Sequence, residues 1–140
     1  MQPLFFLTES PLVAVTAALT ALIVFGAFVA SGYWARREAA AEDRSLLDVL
    51  VYMWTGIGAL HYFHVRYVRG EPRPGGAENR GHRPGRRERV AAAHTVAVVV
   101  AFLAGAVLTP PDPLSQVRTF PPLFAVGFAG AYALTRRRAA

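Results

Sequence analysis

Apolar residues along the chain fall into four long runs separated by short polar stretches, and that pattern predicts helices that cross a bilayer. Residues 12–34 hold no charged side chain, and a run of that length covers the roughly 30 Å of hydrocarbon in a membrane as an α-helix. Ser10 is suited to the N-cap and Pro11 to the first helical position, where its missing N–H is not needed. Tyr33 and Trp34 close the run, where amphipathic rings favour the headgroup layer. A second run covers 46–65, with Ser45 and Asp48 in the spacing of a capping box. The third covers 90–108. The fourth covers 120–135, begins at Pro121 and Pro122 and ends at Arg136, Arg137 and Arg138. Backbone groups in lipid must be paired internally, and without strand-type alternation they pair in helices. The expectation is an all-α integral membrane bundle of four helices, one domain over 1–140.

Charge sharpens the picture. The 140 residues carry a formal net charge of +6 although hydrophobic residues make up 54% of them. Every basic residue is Arg, and the arginines stand between the apolar runs rather than within them. Residues 66–89 collect Arg66, Arg69, Arg73, Arg80, Arg83, Arg86, Arg87 and Arg89 with three prolines and five glycines. Such a stretch has too little apolar material to bury and is expected to be a disordered aqueous loop. Arginines beside spans are retained in the cytoplasm, so this loop and the Arg136–Arg138 tail are expected inside. The turn around Asp112 and the linker 35–44 then lie outside, with both termini inside. A helix lying in the interface over 46–65 would instead put the N-terminus outside, but the run lacks the alternating polar face such a helix needs. No Arg or Lys precedes the first run, so a retained span is expected rather than a secretory signal peptide. The expected location is the cell (cytoplasmic) membrane, with several passes.

Candidate chemistry is sparse. The absence of Cys excludes disulfides and thiol catalysis. His61 and His64 fall near the inner end of the second run and His94 near the inner end of the third. Imidazoles from neighbouring helices can hold a b-type haem or a metal ion inside a bundle, and Gly58 would leave room for a flat ligand. Histidines near a helix end also simply meet water and headgroups. Arg66, Arg69, Arg86, Arg87, Arg89, Arg136, Arg137 and Arg138 are expected to contact anionic lipid headgroups at the cytoplasmic face. Without interleaved aromatics they do not suggest nucleic acid. Ala101-x-x-x-Gly105 and Gly127-x-x-x-Ala131 would allow close approach of helix backbones, within the chain or to a membrane partner or second copy. No paired intramembrane carboxylates, nucleophile elbow, zinc-protease or phosphate-loop pattern is present, so no enzyme activity is expected.

The most sequence-specific stretch is Leu108, Thr109, Pro110, Pro111, Asp112, Pro113, Leu114, Ser115 and Gln116. Its prolines stop both flanking helices, and Asp112 and Ser115 can cap local backbone groups. Leu108 to Asp112, then Ser115 and Gln116, resemble the periplasmic turn between the last two helices of TatC, the multispanning subunit of the twin-arginine protein translocase. Pro122 and Gly130 fall where the family's final helix has a proline and a glycine. The arginine-rich stretch ending at Arg89 and the following helix with Phe102 are similar too. The likeness covers about residues 86–138. The family has six spans, and Phe128 stands where its last helix commonly has a glutamate. The resemblance implies a component or remnant associated with protein export, acting by helix–helix contact and without a cofactor, with Thr109, Pro110, Pro111, Asp112, Ser115, Gln116 and Pro122 as its partner motif. The different expectation from the histidines is a small membrane anchor for haem b, and a third is a lineage-specific membrane protein that arrived at the same turn.

Overall fold

A computed structural model describes residues 10–74 and 83–137. Arg80, His82 and Arg138 lie outside the described residues. The described residues are helical, with no strand among them. Helix α1 is Pro11–Glu42, α2 Leu46–Trp54 and α3 Ile57–Phe63, the last running into a π-helical turn His64–Val68. Helix α4 is Arg86–Leu108 and α5 Pro113–Arg137.

Helix α1 starts where Ser10 and Pro11 predict, through Ala14 N–H to Ser10 O at 3.2 Å rather than a side-chain cap. It continues past Trp34 because Arg36 to Glu42 contain no breaker and favour helix. Asp43 ends it in the left-handed conformation, φ 52°, with its N–H on Ala39 O. Trp34 is fully buried and turned into the bundle, not out to the headgroup layer, while Tyr33 stays exposed.

The expected single helix over 46–65 is broken. The axis turns by 105° between Trp54 and Ile57. Gly56 adopts φ 77°, which L side chains resist, and Thr55 Oγ1 donates to Tyr52 O at 2.7 Å while accepting from Gly58 N–H at 3.3 Å. A methyl added at Gly58 would lie 2.1 Å from Tyr52 O, so only glycine lets the two segments meet. The chain descends along α2 and returns along α3. At the apex Trp54 Nε1 donates to Ser31 Oγ at 3.2 Å; on return Tyr62 donates to Glu42 at 2.9 Å and Arg66 to Glu38 at 3.0 Å. Both ends of this hairpin therefore lie beside the C-terminal end of α1. Ser45 makes no side-chain cap bond, so the capping box with Asp48 does not form.

Helices α4 and α5 form an antiparallel hairpin with Ala101 and Gly105 buried and Gly127 against Ala97, where an added methyl would lie 3.5 Å from Ala97 Cα. Helix α5 begins at Pro113, not at 120. Asp112 Oδ1 accepts Ser115 N–H at 2.8 Å as N-cap, and Pro113 takes the first helical position. Pro121 and Pro122 then fall inside the helix. Proline cannot donate to the carbonyl four residues back, which orphans Val117 O; Thr20 Oγ1 of α1 donates to it at 3.3 Å.

Helix α1 runs antiparallel to α4 and parallel to α5. His94 Nε2 meets Ile23 O at 2.9 Å and Arg37 lies 3.8 Å from Glu88 in one direction, while Thr20 meets Val117 at the other end. The 35–44 linker thus sits at the same end as Arg86, Arg87, Arg89 and Arg137, whereas the sequence predicts opposite sides. Arg37 lies toward Glu88 of α4, while Arg44 pairs with Glu42 of the linker itself. Helices α1 and α4 are long and apolar enough to cross a membrane, and the bent α2–α3 pair would be a third only if counted as one span. Helix α5 contains two prolines and carries Arg118 and Arg136. Large apolar side chains cover the outside of the bundle, with Leu12, Leu22 and Phe25 each 67% exposed.

Gly58→Ala is expected to lower stability by about 1–3 kcal/mol through overpacking against Tyr52. Gly32→Ala, where the added methyl meets nothing within 4 Å, should cost nothing. Thermal unfolding in detergent distinguishes the two variants.

Candidate functional site

The polar centre of the molecule is built from three carboxylates at the arginine-rich end. Glu38 and Glu42 are one turn apart on α1, and Glu88 is in the first turn of α4. Like charges four residues apart on a helix repel, so a cation is needed beside them. Arg66 supplies it, giving Nε to Glu38 at 3.0 Å and Nη2 to Glu42 at 3.3 Å. Arg73 reaches over from the segment after the π turn, bonding Glu38 Oε1 at 2.7 Å and also Glu88. Glu38 is 0% exposed and Glu88 1%, and burying such groups is costly unless they are paired and hydrogen-bonded, as these are. Trp34 Nε1 donates to Glu38 Oε1 at 3.2 Å, and Arg44 joins Glu42 at 3.4 Å. Burial opposes the charge on Arg73, but its bonds to Glu38 and Glu88 outweigh that and hold the guanidinium above its ordinary value.

Beside the cluster lies an open cleft of about 650 Å³, lined by Glu42, His61, Tyr62, Arg66, Arg69 and Arg73 among others. One wall is α3 with its π turn. The other is the 70–74 segment, fixed by Arg66 Nη1 to Pro72 O at 3.1 Å and Glu71 N–H to Val65 O at 3.0 Å. Gly70, at φ 73°, makes the turn between them. The 66–74 part of the expected disordered loop is thus bonded onto the bundle by its own arginines.

The expected site residues separate into distinct places. Arg66, expected at headgroups, turns inward with 9% of its side chain exposed, because two carboxylates claim it. Arg69 stays 60% exposed in a pair with Glu71 at 3.0 Å. Arg86, Arg87, Arg136 and Arg137 are exposed, while Arg89 is half-buried. His94 lies between helices, its Nε2–H on Ile23 O and its ring 4.8 Å from Phe124. Gly26 makes room for it, since a methyl there would come within 3.0 Å of the imidazole. His61 Nδ1 is 3.1 Å from the Tyr52 hydroxyl, and His64 is exposed. His61 and His94 thus serve different neighbours, and His64 stands exposed. Among the described residues no group of three or more His, Asp or Glu side chains is placed to hold a metal ion.

The proline turn forms at the opposite end of the bundle. Thr109 Oγ1 donates to Gly105 O at 2.6 Å and Asp112 N–H to Pro110 O at 2.8 Å. Pro110, Pro111 and Gln116 are exposed; Ser115 is half-buried, its N–H on Asp112. Pro122 is exposed within α5. The bonds from Ser115 hold the Asp112 carboxyl below its ordinary value.

The carboxylate cluster goes unmarked by motif. Its one signal is the Glu38–Glu42 repeat beside a chain rich in arginine, an arrangement that is unfavourable on an isolated helix. Comparison of the chain with protein-family models, with curated proteins and with solved structures gives no match.

Glu38→Ala is expected to cost about 3 kcal/mol, the low end for breaking a buried ion pair, since Arg66 keeps only Glu42 and Arg73 only Glu88. Thermal unfolding should show a far smaller loss for Glu71→Gln, whose exposed pair contributes about 1 kcal/mol or less. Asp112 has a lowered folded-state pKa, so its cap stabilises above the unfolded carboxylate value of about 3.9 and weakens as pH falls through the folded one. Asp112→Asn should keep the cap and remove that share of the acid dependence, measured as unfolding temperature from pH 6 downwards to about pH 3.

Proposed function

We propose that the protein is a multi-pass component of the cytoplasmic membrane that acts in protein export as a TatC-like, non-enzymatic partner subunit. The observation that carries this is the α4–α5 hairpin: two close-packed helices joined by a proline turn whose Asp112 cap presents Pro110, Pro111 and Gln116 at the bundle end away from the arginine cluster. Rigid, exposed and free of catalytic groups, such a turn suits docking rather than chemistry. The apolar faces of α1 and α2 offer helix–helix contact surface in the membrane.

In this reading α1, α4 and α5 cross the membrane and α2–α3 enters and leaves on the cytoplasmic side, so the N-terminus is outside and the C-terminus inside. The distribution of arginine supports it: among the described residues Arg118 alone lies toward the proline-turn end, and the others gather at the opposite end. Membrane proteins retain such residues in the cytoplasm.

The absence of cysteine makes the test direct. Single substitutions Ser10→Cys and Gln116→Cys should react with a membrane-impermeant maleimide in intact cells, and Arg136→Cys only after permeabilisation. Ser10→Cys protected in intact cells would overturn the three-crossing arrangement. A photocrosslinker in place of Gln116 should capture translocase subunits or exported precursors with twin-arginine signals. Capture of unrelated membrane proteins alone would overturn the role in export.

A further inference from the structure

The cleft between α3 and the 70–74 segment has the features of a preformed ligand site. Its volume of about 650 Å³ lies within the range of roughly 300–1,000 Å³ that small-molecule pockets occupy. Its walls are fixed by Arg66 on Pro72 and by Glu71 on Val65, and its floor by Arg66 and Arg73 on the buried carboxylates. Those two guanidiniums are held in place and charge-matched by Glu38, Glu42 and Glu88. Arg69 differs from them. It is 60% exposed, and its bond to Glu71 is a surface ion pair of the kind that contributes little and exchanges readily. His61 also lines the cleft. Its Nδ1 is 3.1 Å from the Tyr52 hydroxyl, and in the tautomer with that hydroxyl as donor Nε2 carries the proton and can donate a hydrogen bond.

Exposed apolar side chains stand on the same broken pair of helices as this polar cleft, whose lining includes Val65. Ile57 is 72% exposed at the apex, and on α2 Leu47 and Val51 are 68% and 59% exposed. A ligand matched to both parts has an extended apolar tail and a phosphate at one end. We infer that the cleft binds the headgroup of a glycerophospholipid, with the phosphodiester on Arg69 and His61 and the acyl chains along Ile57 and the exposed face of α2. Arg69 exchanges Glu71 for the phosphate in a charge-assisted bond, and Glu71 is released to solvent. The inference rests on the arginine-rich end lying at a membrane surface, and not on the role in export.

Native mass spectrometry of the full chain in detergent tests it, with phosphatidylglycerol and phosphatidylethanolamine added separately and inorganic phosphate as competitor. One lipid should stay bound per chain. Arg69→Gln should weaken retention by roughly tenfold, the worth of one charge-assisted contact. Arg118→Gln, at the other end of the bundle, should leave it unchanged, and circular dichroism should show both variants folded. Equal retention by wild type and Arg69→Gln, or equal loss in Arg118→Gln, would overturn the assignment. Displacement of the lipid by inorganic phosphate would assign the cleft to a soluble phosphate compound instead. Carbonate extraction keeps the two levels apart: release from membranes removes the membrane reading itself, whereas retention without bound lipid removes only the cleft assignment.

Discussion

Two carboxylates without solvent, Glu38 and Glu88, are the constraint on which the rest of the arrangement depends. Desolvated charge is tolerable only beside opposite charge with good hydrogen-bond geometry. The arginines that satisfy it come from after the α2–α3 hairpin, so the hairpin has to return to the level of Glu38 rather than continue away from it. Arg66 and Arg73 therefore do more than neutralise charge. They tie α1, α4 and the 66–74 segment at one level, and the cleft beside them inherits its fixed walls from the same bonds.

Backbone hydrogen bonding supplies the second constraint, and threonine meets it twice. At the break between α2 and α3 the helical ladder is interrupted, and Thr55 both donates to Tyr52 O and accepts from Gly58 N–H. In α5 the prolines remove two donors, and Thr20 of α1 reaches the carbonyl that Pro121 cannot serve. Irregular backbone at membrane depth is tolerated only when the freed groups find partners in the protein. The second case also explains why α1 packs along the beginning of α5, where its apolar side chains alone would give it little reason to stop turning.

Much of this architecture is legible in the residue pattern, because hydropathy and capping are local. The positions of α1 and α4 follow from uncharged runs, and the turn from Pro110, Pro111 and Asp112. Other parts are not local. Residues 46–65 have the hydropathy of a span, and only the pairing of Gly56 with Gly58, two residues from Trp54, hints that they bend. The prolines at 121 and 122 read as a helix start, while the better start signal is Asp112 followed by Pro113. The ion cluster joins residues separated by up to 50 positions in the sequence, from Glu38 to Glu88, and no spacing rule links them. Trp34 reads as an interfacial anchor until Glu38 is seen to accept its N–H.

The bend at Gly56 also decides which side of the molecule is basic. Were 46–65 a straight crossing, Arg36, Arg37 and Arg44 would stand across the membrane from Arg86, Arg87 and Arg89, and the rule that keeps arginine in the cytoplasm would be broken by three residues. The hairpin instead returns the chain to the end of the bundle it left, where Arg37 lies 3.8 Å from Glu88. Charge placement and backbone geometry thus point the same way by independent physics. One is set by what a bilayer excludes, the other by a glycine whose φ of 77° few residues would accept. Their agreement is the reason to treat the broken pair as part of the design of the fold: it gathers the arginines, buries the carboxylates they need, and leaves the proline turn alone at the far end.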